Sequence, residues 1–368
     1  MKIMKIEAIP FRLPLRAEVG LVKSSIWSMS AADHVLIKVT TDEGIVGHGE
    51  APQRPTIYGE TQRSIVAIIE SWLGPSLIGL DPFDLEKIWS QMDKVVANNT
   101  AKGAIDMAVH DVLGKKLGLP VHKLLGGWGG EKVSAASLIS MDTPDKMAKV
   151  AAGWMNRQGI KAFKIKVGTD PKKDIKAFIA IREAVGDDAT LYVDANQAWS
   201  PDVAIRTIRA MEPHGLAWVE EPVKKWDFEG KAKVAQSIGV PLLLDESIFT
   251  AQEALRHIKM KIVGMISIKT ARTGFYESRK IVHLAEAANI PCLVGTARET
   301  AIGTAANAQM AAGFKNILLG ELTEFINFED TFLKQPLKIE NGFFYLPSGP
   351  GLGVEIDEAR FSKYRLSF

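Results

Sequence analysis

Short apolar runs alternate with amphipathic segments along the chain from Val133 onward. The intervening stretches carry apolar residues at i, i+3 and i+4, and several open with a Ser or Thr cap, as in SPDVAIRTIRAMEPHG and TAQEALRHIKMK. We therefore expect each run to be a strand followed by a helix. Eight such units predict an α/β fold, a closed (β/α)8-type parallel barrel. The runs are VSAASLI, AFKIKVG, ATLYVDA, GLAWVEE, VPLLLDE, GMISIKT, IPCLVGT and NILLGEL.

The first part of the chain has a different pattern. KIEAIPFRLPL and HVLIKVTTDEGIVGHGEA alternate like antiparallel strands with TTDEG as the hairpin turn, whereas ETQRSIVAIIESWLGPSLIG and NTAKGAIDMAVHDVLGKKLG have helical spacing. At 368 residues the chain exceeds one ordinary core. We predict an N-terminal α+β capping domain over 1–127 and a barrel with the active site over 128–325. The Gly- and Pro-rich segment 326–368, including QPLKIENGFFYLPSGPGLG, should fold back onto the capping domain.

Composition narrows the class of partner. The chain has 45 Lys and Arg against 43 Asp and Glu, so no broad charge would attract nucleic acid or a membrane surface. Cys292 is the only cysteine, which excludes an internal disulfide and weakly indicates a reducing compartment. Charges interrupt the apolar residues of MKIMKIEAIPFRLPL, unlike a signal peptide, and no later run is long enough to span a bilayer. We expect a cytoplasmic protein that binds a small molecule.

Polar residues gather at the carboxyl ends of the predicted strands, where barrels build their active sites. Asp194, Glu220 and Asp245 lie 26 and 25 positions apart, one barrel unit each, so they should present three oxygen ligands to one point. Such hard donors suit Mg²⁺, with Mn²⁺ as an alternative, better than zinc. Any one of these acids alone would be read as a capping or loop residue. Asn196 either assists on the same face or bonds its own turn.

Three lysines also end predicted strands. Lys164 and Lys166 lie in FKIKVG, before Asp194, and Lys269 ends ISIK, after Asp245, so ammonium groups should face each other across a substrate. We expect mutual proximity and a divalent cation to lower the pKa of Lys164 and of Lys166, so that one exchanges a proton near neutral pH. The alternative, snorkelling lysines on an exposed edge strand, conflicts with the position of this strand inside a closed barrel.

The set KIKVG, LYVDANQAW, WVEEP, LDES and ISIKTARTG resembles the muconate-lactonizing subgroup of the enolase superfamily, and the resemblance extends to the GPGLG tail. It implies a modified TIM barrel in which three carboxylates bind Mg²⁺ and the metal stabilises an enolate formed from a carboxylate substrate. The ligand roles fall on Asp194, Glu220 and Asp245, and the proton-transfer roles on Lys166 and Lys269.

The resemblance implies further roles. Lys164 would adjust Lys166 and touch the metal-bound carboxylate, Glu246 would hydrogen-bond or pair with Lys269, and Glu299 would approach the bound carboxylate. It also implies a homo-oligomer, commonly an octamer among the cycloisomerases.

Members of this subgroup share the machinery while performing different reactions, so the substrate must be argued from other residues. Dipeptide epimerases carry an acidic D-x-D pair on the eighth strand, where this chain has Glu321-Leu322-Thr323. GELTEFINFEDTFLKQPL, ISIKTARTGF and EAPQRPTIYGETQ are more similar to muconate cycloisomerases. Tyr58 matches a substrate-shaping tyrosine, and Arg54 would meet the distal carboxylate of a diacid or be an ordinary surface charge.

Other segments are similar to dipeptide epimerases, namely GHGEAP, DESIFT and CLVGTARET, and Glu321 alone would still suit an amine. Ser24, Ser25 and Trp27 either line the pocket or pack their loop. We therefore expect an isomerase of aromatic catabolism, a muconate cycloisomerase that lactonises cis,cis-muconate to muconolactone with Lys166 as first choice of proton donor. The alternative is a dipeptide or N-acyl amino-acid epimerase or racemase. A third reading is a noncatalytic barrel whose acids bind a structural ion.

Overall fold

A computed structural model describes all 368 residues, which form fifteen strands in three sheets. The strands are β1 (Ile3–Pro14), β2 (Val22–Lys23), β3 (Ser28–Met29), β4 (Ala31–Thr41), β5 (Val46–Pro52), β6 (Lys132–Ile139), β7 (Ala162–Lys166), β8 (Thr190–Asp194), β9 (Leu216–Glu220), β10 (Leu242–Leu244), β11 (Met265–Ile268), β12 (Cys292–Val294), β13 (Ile317–Glu321), β14 (Lys338–Glu340) and β15 (Phe343–Tyr345).

Fourteen α-helices connect and cover these strands. They are α1 (Gln62–Ile68), α2 (Gly74–Leu77), α3 (Leu85–Met92), α4 (Asn99–Leu117), α5 (Val121–Leu125), α6 (Pro144–Gln158), α7 (Pro171–Val185), α8 (Pro201–Met211), α9 (Phe228–Ser237), α10 (Ala251–Lys259), α11 (Thr270–Thr273), α12 (Tyr276–Ala287), α13 (Ala301–Gly313) and α14 (Glu358–Phe361). A π-helical turn, Ile69–Leu73, joins α1 to α2. None of the helices has the length and apolar character needed to cross a bilayer.

The predicted barrel is confirmed. Strands β6 to β13 are parallel and hydrogen-bonded in chain order, and β13 pairs with β6 to close the ring of eight. Seven of the eight predicted apolar runs contain one of these strands in full, and β6 begins one residue before its run. Each connection between successive barrel strands contains at least one helix, as parallel neighbours require.

One local expectation was wrong, and another held only in part. No helix follows the eighth barrel strand; β13 leads into a single 3-10 turn, Glu324–Asn327, because the chain leaves the ring there and needs no crossover to another strand. Thr250 caps α10 as predicted, with its side chain accepting from the Glu253 amide at 3.2 Å. Ser200 occupies the predicted N-cap position of α8, but its side chain makes no capping hydrogen bond.

Residues that point into the barrel form layers, because side chains alternate along each strand. The lower layer is a separate apolar cluster, in which the rings of Tyr192 and Trp218 stack 4.7 Å apart. The charged ends of the same strands lie one layer above, so the cluster closes the floor of any cavity at the carboxyl end. The cluster consists of Tyr192, Trp218, Leu243, Met265 and Leu293.

The capping domain joins the barrel through α4. This helix is buried over most of its length, which explains why it has no polar face. On one side it lies against β5, where a Cβ at Gly49 would be 2.0 Å from the Ala104 carbonyl oxygen, so the close approach requires glycine. On the other side, a Cβ at Gly103 would be 2.9 Å from the Thr270 carbonyl oxygen. The capping sheet and the end of β11 thus share one helix.

The tail contacts both parts of the molecule. β14 and β15 form a hairpin, and β15 pairs antiparallel with β6 of the barrel. The reason is that β6 begins before its barrel neighbours, so its first residues, from Lys132 to Ser134, offer free backbone groups to Phe343–Tyr345. Further along the tail, the Gly351 amide donates to the Leu119 carbonyl at 2.9 Å and the Leu366 amide to the Pro10 carbonyl at 2.9 Å.

Candidate active site

Three predicted carboxylates lie side by side on neighbouring strands. Asp194 on β8 is the direct register partner of Glu220 on β9, and Glu220 pairs with Leu243 of β10, two residues before Asp245. All three are buried. The strand alternation therefore brings these acids to one rim of the barrel, pointing inward.

Lysines neutralise each of these acids. Lys164 Nζ donates to Glu220 Oε1 at 2.6 Å and lies 3.1 Å from Asp194 Oδ2. Lys166 Nζ donates to Asp194 Oδ2 at 2.6 Å, and Lys269 donates to Asp245 Oδ2. Lys164 and Lys166 thus form one buried network with Asp194 and Glu220, and Lys269 and Asp245 form a separate buried ion pair at the same rim.

Without a bound cation, the pKa of Lys164 is shifted in the direction opposite to the expected lowering. Burial alone would lower it, but Glu220, Glu321 and Asp194 outweigh burial and hold the pKa of Lys164 well above its usual value. Lys269 follows the same pattern: burial opposes the charge, yet Asp245 raises its pKa. For Lys164 the direction differs from the sequence prediction because its ammonium group contacts the carboxylates of Glu220, Asp194 and Glu321.

The donor atoms of the three acids are of the type that a hard divalent cation prefers. All three supply carboxylate oxygens, and Glu220 Oε2 is buried without a hydrogen-bond partner. Burial, and next the charge of Asp194, hold the pKa of Glu220 well above its usual value, so a cation here would relieve repulsion between acids. No three His, Cys, Asp or Glu side chains are already spaced as a metal site, since lysines and Arg272 hold the carboxylates.

Asn196 connects Lys166 of this network to Glu246. Its Oδ1 accepts from Lys166 Nζ at 2.7 Å, and its Nδ2 donates to Glu246 Oε1 at 2.9 Å. Glu246 was expected to pair with Lys269, but its contact is Asn196, because Lys269 is bound to Asp245. Burial, with the nearby charges of Asp245 and Asp194, raises the pKa of Glu246 to about 8. Because its amide group is held by Glu246 on one side, Asn196 orients the ammonium group of Lys166 on the other.

A small cavity lies above the rim. Its volume of about 20 Å³ is room for about one water. Lys166 on β7 and Lys269 after β11 reach it from strands four apart in a ring of eight, that is, from opposite walls. Lys164 does not line it. The lining residues are Trp27, Arg54, Ile57, Tyr58, Leu138, Lys166, Asn196, Lys269, Thr296, Ala297 and Arg298.

The capping domain supplies the roof of this cavity. Arg54 is buried and not a surface charge: it donates to the Gln53 carbonyl at 2.7 Å and to the Ala297 carbonyl across the domain boundary. Burial lowers the pKa of Arg54 to about 10. Tyr58 also lines the cavity and meets Phe249 edge to face at 5.7 Å.

Only one of the three candidates on the other capping loop faces the cavity. Trp27 lines it. Ser25 donates to the Ala195 carbonyl at 3.0 Å, and the Ser24 hydroxyl accepts from the Ile26 amide at 3.3 Å. The two serines therefore fix the loop.

Glu299 and Glu321 do not line the cavity. Glu299 accepts from the Thr296 hydroxyl at 2.7 Å and the Ala297 amide at 2.9 Å. Glu321 accepts from the Tyr192 hydroxyl at 2.8 Å and the Thr296 amide at 2.9 Å, and it lies 3.3 Å from Lys164. Both acids are buried and hold the loop after β12.

Two arginines of the site were missed. Arg272 pairs with Asp245 and donates to the Ser267 carbonyl at 3.0 Å, and Arg298 lines the cavity. Both follow a buried strand closely, in ISIKTARTG and CLVGTARET. The rule that selected the acids and lysines, a charged side chain just after an apolar strand, would have found them.

The chain matches two family descriptions that together span most of its length. Residues 12–126 match "Mandelate racemase / muconate lactonizing enzyme, N-terminal domain", and residues 146–360 match "Enolase C-terminal domain-like". The chain belongs to the mandelate racemase / muconate lactonizing enzyme family of the enolase superfamily. It is accordingly an enzyme, of the isomerase class.

Individual relatives have different reactions in their names. The N-succinyl-L-Arg/Lys racemase of Bacillus cereus is 35% identical over 361 residues, which cover 97% of this chain and 96% of the racemase. The muconate lactonizing enzyme of Mycobacterium smegmatis, solved with muconolactone, has a TM-score of 0.96 and 38% identity over 100% of both chains. The dipeptide epimerase of Enterococcus faecalis V583, solved with Mg and L-Leu-L-Tyr, has a TM-score of 0.91 and 36% identity over 96% of this chain and 100% of its own.

Proposed function

We propose that the protein is a muconate cycloisomerase that converts cis,cis-muconate to muconolactone. The observation that carries this proposal is the buried Arg54, which lines the same cavity as Lys166 and Lys269 but enters it from the capping domain. A diacid can meet the rim with one carboxylate and this guanidinium with the other. A substrate with a single carboxylate would leave that buried cation without an anionic partner.

Asp194, Glu220 and Asp245 would hold the metal, Mg²⁺ or Mn²⁺. When bound, the ion supplies positive charge against the substrate carboxylate and the negative charge that develops beside it. The protein's own contribution is to hold three buried oxygen donors together on adjacent strands.

The remaining residues orient the substrate and move the proton. Arg54 holds the distal carboxylate of the substrate. One oxygen of that carboxylate then bonds to the substrate carbon that closes the lactone ring. Lys166 then donates a proton to the carbon next to the first carboxylate, with Asn196 fixing the direction of its ammonium group at 2.7 Å. Lys269 faces the same cavity from the opposite wall and serves as an electrostatic partner.

The eighth strand favours this reaction over dipeptide epimerisation. Glu321 is the only acid at the position of the D-x-D pair, and Tyr192, Thr296 and Lys164 already occupy its oxygens. No acid pair is therefore free to bind a substrate ammonium group. The full-length similarity to the muconate lactonizing enzyme of M. smegmatis supports the same choice.

A second candidate is a racemase of N-acyl amino acids. The placement of Lys166 and Lys269 on opposite walls favours it, because racemisation needs one base on each side of the α-carbon. The similarity to the N-succinyl-L-Arg/Lys racemase of B. cereus also supports it. An N-succinyl group would bring a second carboxylate, so this candidate shares the diacid argument.

The loss of ultraviolet absorbance of cis,cis-muconate tests the first candidate. Purified protein with Mg²⁺ should consume the substrate, and a chelator or Lys166→Ala should stop the decay. Lys161→Ala, which removes an exposed lysine just before β7, should leave it intact. The absence of decay at high enzyme concentration would refute the proposal and direct work to α-hydrogen exchange of N-succinyl amino acids in D₂O.

A further inference from the structure

Arg298 has an unusual setting for a charged residue. It lies between β12 and α13 and is 3% exposed. Its φ of +59° is in the left-handed region, which side chains other than glycine seldom adopt, and its amide donates to the Thr296 hydroxyl at 2.7 Å. Backbone strain of this kind persists where surrounding contacts impose it, commonly at ligand sites.

The guanidinium of Arg298 is only partly satisfied. Nη1 pairs with Glu324 Oε2, whereas Nε and Nη2 are buried without a hydrogen-bond partner. These two nitrogens lie along one edge of the planar group, the edge that donates two parallel hydrogen bonds to a carboxylate. A purely structural arginine at this depth would be expected to use its donors, since unpaired buried donors are costly. The free edge therefore has the donor geometry that a carboxylate requires.

The position of Arg298 shows where such a carboxylate would come from. The residue lines the cavity that Lys166 and Lys269 also reach. Its guanidinium carbon lies 5.2 Å from the ring centre of Trp27, and that of Arg54 lies 5.6 Å from the same ring. Two buried cations thus share one indole and repel each other, which an anion bound beside them would relieve.

Arg298 also separates this cavity from a second, outer one. The outer cavity, of about 280 Å³, shares only Leu138 and Arg298 with the inner one. It lies against α6 and a capping-loop segment that includes Leu21 and Val22. Arg298 therefore stands at the far limit of the catalytic cavity, where the end of a short substrate would stop.

We propose that Arg298 selects dicarboxylate substrates together with Arg54: it binds the second carboxylate along its Nε–Nη2 edge, beside the guanidinium of Arg54. The choice of cis,cis-muconate as that diacid rests on the proposed function, whereas the preference for a second carboxylate does not. Glu324 holds Nη1 and so keeps the free edge turned away from itself.

Binding of adipate and of monomethyl adipate, measured by titration calorimetry with Mg²⁺ present, tests this without turnover. The wild-type protein should bind adipate at least about tenfold more tightly than the monoester, as a charge-assisted bidentate pair predicts. Arg298→Met should weaken adipate binding by about 10- to 100-fold and monoester binding by less than about threefold. Arg298→Lys should restore part of the difference, since it keeps the charge without the fork.

Arg157→Met is the matched control, because this exposed arginine lines only the outer cavity; it should bind both ligands as the wild type does. Circular dichroism establishes that each variant is folded, and Arg298→Lys carries the test if Arg298→Met does not fold. Equal binding of adipate and monoester by the wild type, including no binding of either, would overturn the proposal. So would an equal loss for both ligands in the folded Arg298 variants.

Muconate turnover separates this result from the proposed function. A protein that prefers adipate but leaves muconate unchanged would retain the Arg298 assignment and lose the cycloisomerase assignment. If muconate is consumed, Arg298→Lys should raise KM for it by about tenfold with a smaller change in kcat. Consumption of muconate with an unchanged KM in Arg298→Lys and Arg298→Met would instead refute the Arg298 assignment alone.

Discussion

Glu50, at the end of the capping sheet, accepts hydrogen bonds from both the amide and the hydroxyl of Thr300, each at 2.8 Å, at the start of barrel helix α13. It also accepts from the Gly303 amide at 2.8 Å and lies 2.6 Å from His34 Nδ1. Burial would raise the pKa of Glu50, but His34 and the helix amides outweigh burial and lower it. One carboxylate therefore joins the capping domain to the loop that carries Arg298.

Replacing this carboxylate tests the domain connection. Glu50→Gln keeps an acceptor but removes the charge that the α13 amides and His34 stabilise, so the free energy of unfolding should fall by about 2 kcal/mol. Urea denaturation followed by circular dichroism measures the change. Glu7→Gln, on the partly exposed face of β1, is the matched control and should be neutral. An equal stability for both variants would show that the contact adds nothing.

The contrast between Glu50 and the barrel strands shows which features of the structure could be predicted from the sequence. Strands such as Ala162–Lys166 can be predicted from a short stretch of sequence, because the alternation of neighbouring residues determines which face each side chain occupies. The same alternation located Asp194, Glu220 and Asp245 at one rim. Glu50 meets Thr300 across 250 positions of sequence, and no local period encodes that contact.

Electrostatic details were beyond the sequence for a related reason. The pKa of Lys164 depends on which charges surround it in space, and three carboxylates from three other strands decide its direction. The pairing of the tail hairpin with β6 could not be predicted, because the free start of β6 is defined only once the barrel is closed. In both cases the deciding group is distant in sequence.

The two opposed lysines distinguish the candidate reactions. For lactonisation, Lys166→Ala should lower kcat by at least about 100-fold, the usual contribution of a general acid, whereas Lys269→Ala should cost about tenfold. For racemisation both changes should abolish activity, since each lysine serves one face of the α-carbon. Muconate absorbance and α-deuterium incorporation measure the two reactions. Equal and complete loss of muconate turnover in both variants would contradict the single-donor mechanism.

Metal binding should appear in stability as well as activity. Mg²⁺ at 100 times its Kd should add about 2.7 kcal/mol to the free energy of unfolding, because only the folded chain assembles the three acids. Glu220→Gln should remove most of this gain, and Glu183→Gln, an exposed change on α7, should not. Thermal melts with Mg²⁺ and with chelator measure the difference. A noncatalytic barrel with a structural ion would show the same stabilisation but turn over neither muconate nor an N-acyl amino acid.

A buried aspartate behind the lysine strand should make stability depend on pH. Asp174 accepts a hydrogen bond at 3.0 Å from the amide of Gly168, the residue two positions after Lys166. Burial raises the pKa of Asp174 from 3.8 to about 6. Because the folded protein holds this proton more tightly than the unfolded chain, Asp174 should cost stability progressively as pH rises from about 4 to 6.

Asp174→Asn keeps the acceptor for the Gly168 amide but cannot ionise. The stability of the variant relative to the wild type should therefore rise by up to about 3 kcal/mol between pH 4 and 7 and stay constant above pH 7. Thermal melts of both proteins across this pH range measure the difference. Asp188→Asn, a change at an exposed aspartate, should follow the wild type at every pH. Parallel curves for wild type and Asp174→Asn would mean that Asp174 ionises as freely in the folded protein as in the unfolded chain. The turn after Lys166 would then be held without a buried, protonated aspartate.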